Sequence, residues 1–261
     1  MIRERGNMRL TNSLKAFFLK WLPDFLIIPL KKIHYVHALK AVPEEIDFEP
    51  IKSIVKLGDT VIDVGANIGS YTFFLSKMVG MGGKVHSIEP IPSTFEILKY
   101  VIKKFALNNV SAISYAVSSE DAMAKMAIPK YDNGAENYYQ SHIIDASHAD
   151  NFRLFEVEIK KLDSLFMGKI DRLTFIKIDV EGHELNVIKG AKGLISRFKP
   201  ALLIEVSENP DNESSSSYQL FKELLMEGYL PYFFDGEKLK ARKKGEQSIN
   251  YFFLPRERPV I

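Results

Sequence analysis

The chain has 261 residues, 46% of them hydrophobic and 26% charged, and a formal net charge of +2. This composition excludes extensive disorder, and the length allows one α/β domain with a sizeable core, alone or with an appendage. The sequence contains no cysteine, which excludes disulfides, thiolate metal sites and a cysteine nucleophile and suits a reducing compartment, so we expect a cytoplasmic protein.

Residues 1–45 are predicted to form a basic, amphipathic helical extension. Apolar side chains recur there at helical spacing, at Leu14, Phe17, Phe18, Trp21 and Leu22, and Pro23 is expected to end that helix. The apolar run is far shorter than the ~20 residues that a membrane span needs, and no signal-peptide cleavage site follows it. We favour packing of this helix on the main domain or on a second subunit. The alternative is weak peripheral contact of residues 10–32 with an anionic membrane.

From residue 46 to residue 261, strand and helix patterns alternate. Predicted strands cover 60–64, 84–89, 110–117, 173–178 and 201–206, and predicted helices cover 69–79, 93–106, 183–197 and 218–227. Ser93 and Glu96 are expected to form a capping box at the second helix. Residues 229–234 and 249–254 predict a final antiparallel strand pair around a basic loop at 238–244. The pattern therefore predicts an α/β fold with a mostly parallel, seven-stranded sheet covered by helices on both faces.

Residues 118–160 interrupt this alternation. Segments 124–129 and 155–162 are predicted strands, whereas residues 131–150 are polar and loop-like. The stretch is too long for a plain connection, so we expect an insertion or lid beside the site. Its aromatic residues, Tyr131, Tyr138, Tyr139 and Phe152, either stack on a sugar ring or anchor the lid, and both interpretations remain open.

A glycine turn follows the first strand, in the segment VIDVGANIGSYT at 61–72. A dinucleotide fingerprint fails because Asn67 and Ser70 stand where glycines are needed, and no Walker Lys-Ser/Thr pair follows. Glu89 ends the next strand, where a carboxylate accepts both hydroxyls of a ribose. Asp63 precedes the turn and is expected to meet a cationic group. A ligand with a ribose and an ammonium group but no phosphate is S-adenosylmethionine.

A second motif lies at 176–191 and reads IKIDVEGHELNVIKGA. Together with the glycine turn and the short segments Ile88-Glu89-Pro90, Tyr115-Ala116-Val117, Leu162-Asp163-Ser164-Leu165 and Ile204-Glu205, it resembles the FkbM-type S-adenosylmethionine-dependent methyltransferases. The resemblance covers residues 46–206 in order and 207–254 more loosely. It departs at Ser118-Ser119, where the family often has Gly-Asp.

The resemblance implies a Rossmann-like class I methyltransferase fold, S-adenosylmethionine as cofactor, and O-methylation of a hydroxyl on a sugar, a glycan or another small molecule. The expected cofactor-binding residues are Asp63, Gly65, Asn67, Gly69, Glu89, Ala116 and Val117. The expected catalytic residues are Asp179, Glu181 and His183.

Methyl transfer to an alcohol needs a positioned base, because an alcohol is a poor nucleophile. Either His183 or Glu181 is expected to serve as that base, with Asp179 positioning cofactor and acceptor, whereas Glu184 is expected only to begin a helix. Asp179, Glu181 and Glu205 would suit magnesium, but the resemblance does not require a metal and we predict none.

The same residues bear on other possible functions. Asn67 and Ser70 argue against a nicotinamide oxidoreductase. The basic tracts at 1–40 and 238–244 permit an RNA or other macromolecule methyltransferase, but no RNA-binding module is appended, so no nucleic-acid partner is expected. A non-catalytic S-adenosylmethionine-binding scaffold is the remaining alternative.

Overall fold

The structure is a computed structural model that describes residues 24–41, 45–129, 142–144 and 152–257. Its helices are α1 (Asp24–Ala41), α2 (Phe48–Ile54), α3 (Ser70–Val79), α4 (Pro92–Lys104), α5 (Leu162–Phe166), α6 (Glu184–Lys189), α7 (Lys192–Phe198) and α8 (Ser216–Met226). Its strands are β1 (Thr60–Val64), β2 (Lys84–Ile88), β3 (Val110–Ile113), β4 (Ala116–Val117), β5 (Ala122–Pro129), β6 (His142–Ile144), β7 (Phe152–Lys160), β8 (Phe175–Ile178), β9 (Ala201–Glu205), β10 (Tyr229–Phe234), β11 (Leu239–Ala241) and β12 (Asn250–Pro255).

The main sheet has the strand order β11-β10-β12-β9-β8-β1-β2-β3. Strands β3, β2, β1, β8 and β9 run parallel, and β12, β10 and β11 are added antiparallel. All residues of β1 and β8 are buried, as expected for parallel strands covered on both faces. The predicted α/β, Rossmann-like fold is confirmed.

The predicted count of seven strands is wrong for this sheet within the residues that the structure describes. The eighth strand is β11, which lies inside the predicted basic loop and pairs with β10. Only Leu239 of β11 is buried. A three-residue strand with one buried residue between two lysines has no detectable periodicity, so the sequence pattern could not reveal it.

The chain order reverses at β1. This strand pairs with β2 on one side and with β8 on the other. In open parallel sheets, ligands bind outside the carboxyl ends of the strands at such a reversal. The fold therefore places the expected site where β1 and β8 end.

The segment predicted as one strand at 110–117 is divided between two sheets. Its first part is β3 of the main sheet, and its second part, β4, joins a four-stranded sheet of order β4-β7-β5-β6. The region predicted as an insertion thus contains a sheet of its own, with Ala116, Met126, Val157 and Ile159 in its buried cluster. Tyr131, Tyr138 and Tyr139 lie outside the described residues, and a lid role for this region stays a prediction.

Two helix predictions need correction. The capping box is wrong, because α4 begins at Pro92 with Ile91 as its N-cap and no side-chain cap, and proline suits a first turn since it lacks an N–H. The helix predicted at 183–197 is two helices, α6 and α7. The Asp163 carboxylate accepts hydrogen bonds from the N–H groups of Gly193 and Leu194 at 2.8 and 2.9 Å, which caps α7 as a separate helix.

The helix α1 was not predicted as such, because it follows Pro23 and contains Pro29. Its residues Val36 and Leu39 pack against Ile97 and Val101 of α4. The apolar pattern predicted at 14–22 lies outside the described residues. Within the described part of the chain, no helix is long and apolar enough to span a membrane.

Replacement of Gly190 tests the contact between the end of α6 and the segment that follows β4. A Cβ atom at Gly190 would lie 2.0 Å from the backbone oxygen of Ser118, so Gly190→Ala is expected to lower the free energy of unfolding by about 1–3 kcal/mol through overpacking. Gly82→Ala is the matched control, because its Cβ atom would have no neighbour nearer than 4.0 Å. Urea unfolding measures both. Equal stabilities would contradict the close contact.

Candidate active site

A cavity of about 280 Å³ opens at the carboxyl ends of β1, β2 and β8. It brings together most of the residues that were predicted for the site. Those that line it are Gly65, Asn67, Glu89, Ala116, Val117, Asp179, Glu181 and His183, joined by Glu205 at the end of β9 and Met126 of the second sheet.

Two predicted cofactor residues, Asp63 and Gly69, do not line the cavity. Gly69 precedes α3 with a φ of +98°, and a Cβ atom there would lie 2.8 Å from Leu98 Cδ1. Asp63 is fully buried beneath the turn. Its Oδ2 accepts a hydrogen bond from the Thr72 hydroxyl at 2.7 Å, and burial raises the pKa of its carboxyl group.

The cationic group nearest to Asp63 belongs to the protein itself. Lys177 stands opposite Asp63 in the β1–β8 register, and its Nζ lies 4.0 Å from Asp63 Oδ1. The same Nζ donates to Asp179 Oδ2 at 2.9 Å and to the Gly65 carbonyl at 3.2 Å. Lys177 is absent from the site residues that the sequence predicts. The signal was a lysine inside an otherwise apolar, buried strand.

The glycine turn is shaped by contact between β1 and β8. Gly65 has a φ of +73°, and a Cβ atom there would lie 1.7 Å from the Asp179 carbonyl oxygen. Only glycine allows this approach. Asn67 also adopts a left-handed conformation, with a φ of +50°.

Glu89 ties the glycine turn to the end of β2. Its Oε2 accepts from the Asn67 N–H and its Oε1 from the Ile91 N–H, both at 2.9 Å. The residue is 4% exposed, and burial raises the pKa of the carboxyl group to about 7. Each oxygen retains a further lone pair for an incoming hydroxyl.

The turn after β8 carries Glu181 in a left-handed conformation, with a φ of +54°. Oε1 of Glu184 accepts from the Gly182 N–H at 2.9 Å and from the Val180 N–H at 3.3 Å. Glu184 therefore does more than begin α6, because its carboxylate closes this turn. Glu181 is exposed at the cavity mouth. Partial burial of its carboxyl group, then the charges of Asp179, Glu205 and Glu184, raise its pKa to about 7.

Both ring nitrogens of His183 have partners. Nε2 lies 2.9 Å from Ser118 Oγ, and Nδ1 lies 3.2 Å from Asn186 Nδ2. Burial lowers the pKa of the imidazole. Since the Asn186 amide nitrogen can only donate, we assign the proton of the neutral ring to Nε2, which then donates to the Ser118 hydroxyl.

In the described ranges, no three His, Asp or Glu side chains converge as a metal site. The hypothesis that the site works without a metal stays a prediction.

Residues 63–231 match the model of the Methyltransferase FkbM domain, which is more than half of the chain. The chain belongs to this family. The resemblance found in its motifs is confirmed, and S-adenosylmethionine is the cofactor of that family.

Relatives of this FkbM methyltransferase are distant. It is 24% identical over 144 residues to "Methyltransferase 1" of Beauveria bassiana, a match that covers 50% of this chain and 57% of that protein. It is 33% identical over 81 residues to the protein-L-isoaspartate O-methyltransferase of Methanococcus maripaludis strain C6, over 31% and 35% of the two chains. The chain thus spans little more than half the length of the first relative and about a third of the second.

One solved structure with a similar chain is the FkbM methyltransferase of Methylobacillus flagellatus KT. It is 15% identical with a TM-score of 0.47, over 86% of this chain and 59% of that one.

Removing the Glu89 carboxylate is expected to weaken S-adenosylmethionine binding by about 1–3 kcal/mol, because charge-assisted hydrogen bonds to the ribose would be lost. Calorimetric titration of Glu89→Ala measures the change. Glu120→Ala is the control, since Glu120 is an exposed acid away from the cavity. Unchanged affinity in Glu89→Ala would remove the ribose assignment.

Proposed function

We propose that this FkbM methyltransferase transfers the methyl group of S-adenosylmethionine to a hydroxyl on a sugar, a glycan or another small molecule. The observation that carries the proposal is Glu181, which lines the cavity in a left-handed conformation with a pKa near 7. Backbone strain of this kind concentrates at functional sites. Among the described residues, no hydrogen bond engages its carboxylate.

We assign Glu181 as the general base. A hydroxyl oxygen that bonds to the methyl carbon, as the bond from that carbon to sulfur breaks, must lose its proton in the same step. The Glu181 carboxylate takes that proton. A carboxyl group with a pKa of about 7 is well matched to this role, since a base works best when its pKa is near the working pH.

His183 was an equal candidate for the base on sequence grounds. Its hydrogen bonds to Ser118 and Asn186 leave no free ring nitrogen for a substrate proton. We therefore assign His183 to positioning the turn that carries Glu181. Asp179, held by Lys177, is assigned to positioning cofactor and acceptor.

The cofactor assignments follow the lining of the cavity. Glu89 accepts the ribose hydroxyls, Gly65 and Asn67 bound the methionine side, and Ala116 and Val117 form the wall on the adenine side. Asp63 and Gly69 support the turn from behind. These residues fit S-adenosylmethionine because the cavity offers carboxylates to a cationic ligand and no cradle for a pyrophosphate.

The charges of the cavity favour a neutral acceptor over RNA. Four carboxyl groups, those of Glu89, Asp179, Glu181 and Glu205, line it, and no lysine or arginine is among its described lining residues. A nucleic acid or a phosphorylated acceptor would require cationic side chains there. Hydroxyl groups donate well to carboxylates. The RNA or macromolecule alternative and the non-catalytic scaffold therefore rank below a small hydroxyl acceptor.

The base assignment predicts that Glu181→Gln lowers the turnover rate roughly 100- to 10,000-fold while calorimetry shows nearly unchanged S-adenosylmethionine affinity. The wild-type rate should rise with pH through about 7, because the base must be ionised and its pKa is about 7. Glu181→Gln should lack this rise. The assay follows transfer of a radiolabelled methyl group to glycans and small metabolites of a cell extract.

The turnover rates of His183→Ala and Asp179→Asn are measured in the same assay as that of Glu181→Gln. His183→Ala should retain the pH-dependent rise at a reduced rate. If all three variants keep near-normal turnover, the base lies elsewhere, with Glu205 the next lining carboxylate to test.

We further propose a cytoplasmic protein whose residues 10–32 make only weak peripheral contact with membranes. Among the side chains of α1 that the structure describes, the large apolar ones that are more than half exposed are Leu30 and Ile33. Residues 10–23 lie outside the described part of the chain.

Co-sedimentation with anionic vesicles is expected to show little binding at low salt and none at high salt, because polybasic attraction is screened by salt. Vesicles of neutral lipid serve as the control. Strong binding that persists at high salt would contradict the proposal and indicate apolar insertion.

A further inference from the structure

Lys177 is a buried cation beneath the cavity. It is 6% exposed and lies in β8, whose other residues are all apolar and buried. Its Nζ reaches the carboxyl end of the sheet, where it donates to Asp179 Oδ2 and to the Gly65 carbonyl. The Tyr71 ring lies 5.0 Å from it.

Burying an ammonium group is costly unless it is paired and hydrogen-bonded. Burial alone would lower the pKa of Lys177, but the charges of Asp179 and Asp63 outweigh it and hold the pKa above its usual value. The neighbouring carboxylates of Asp179 and Asp63 therefore stabilise the charged form of the lysine in the folded protein.

The two acids differ in geometry. Asp179 accepts a hydrogen bond from Nζ at 2.9 Å and lines the cavity. Asp63 lies 4.0 Å away, faces the core and takes its hydrogen bond from Thr72. The side chain of Lys177 thus extends past its cross-strand neighbour to reach the carboxylate at the site.

We propose that Lys177 is a positioning residue for cofactor binding, which acts by fixing the Asp179 carboxylate and the Gly65 carbonyl at the cavity. Lys177 holds Oδ2 of Asp179 by a hydrogen bond. This fixes the orientation of the carboxylate, so that Oδ1 is available to the bound cofactor. The inference rests on the proposed role of Asp179, but it does not depend on which residue is the base or on the acceptor.

A double-mutant cycle tests whether Lys177 acts through Asp179. The variants are Lys177→Met, Asp179→Asn and their combination, and calorimetry with S-adenosylmethionine gives each dissociation constant. Lys177→Met should weaken binding roughly tenfold or more, since coupled neighbours interact by about that much. In the Asp179→Asn background the same substitution should change the constant by less than about threefold.

A matched double-mutant cycle with Asp63→Asn separates the effect of Lys177 on cofactor affinity from its effect on the stability of the fold. Lys177→Met leaves the buried Asp63 carboxylate without its nearest cation, so its thermal unfolding midpoint should fall, and adding Asp63→Asn should restore it. Cofactor affinity should stay weak in that double variant. If Lys177→Met alone fails to fold, the Asp179 cycle is run in the Asp63→Asn background.

Three results would overturn the inference. The first is that Lys177→Met weakens cofactor binding equally with and without Asp179→Asn. The second is that adding Asp63→Asn to Lys177→Met restores cofactor affinity as well as the unfolding midpoint. The third is that Asp179→Asn alone leaves cofactor affinity unchanged. Because every readout is cofactor binding or unfolding, a wrong assignment of the base at Glu181 would not affect the outcome.

Discussion

The close approach of two parallel strands at their carboxyl ends is the constraint on which the site depends. A carbonyl oxygen of Asp179 occupies the space that a side chain at Gly65 would take, and the Asp179 N–H donates to the Val64 carbonyl at 3.1 Å. With no Cβ in the way, the turn after β1 and the turn after β8 meet. Lys177 joins them from below, so the two turns form one unit.

Both turns contain a non-glycine residue in a left-handed conformation, and a glutamate carboxylate holds each turn, the first from the end of the next strand and the second from the start of the following helix. Asn67 is held through the Glu89 carboxylate, and the turn at Glu181 through that of Glu184. Conformations of this kind persist only when surrounding contacts over-determine them. The carboxyl groups of Glu89 and Glu184 thus have a structural role, because they hold the two turns in shape. The chemical role proposed for the other carboxyl groups depends on those turns.

The sequence predicted the features of the fold and of the candidate site that depend on local apolar patterns and on the residues at strand ends. Apolar runs located the central strands, and Gly65, Glu89 and Asp179 followed from their places at strand ends. The partner of Asp63 was not predicted, because it depends on the register between β1 and β8 rather than on neighbours in sequence. The departure of β4 to a second sheet and the break between α6 and α7 were missed for a similar reason. Each is fixed by a distant contact, such as that of Asp163 with the start of α7.

The second sheet supplies part of the cavity wall, which has a consequence for how the shape of the cavity can change. Strand β4, which belongs to the second sheet, forms part of the cavity wall, and β5 supplies Met126 to the same wall. The hydroxyl of Ser118, which follows β4, lies 2.9 Å from His183 Nε2 and joins this wall to the turn after β8. The wall that the second sheet supplies and the β1–β8 junction thus lie in separate stretches of the chain, so a substitution at Met126 would reshape the cavity while leaving the contact between Gly65 and Asp179 in place.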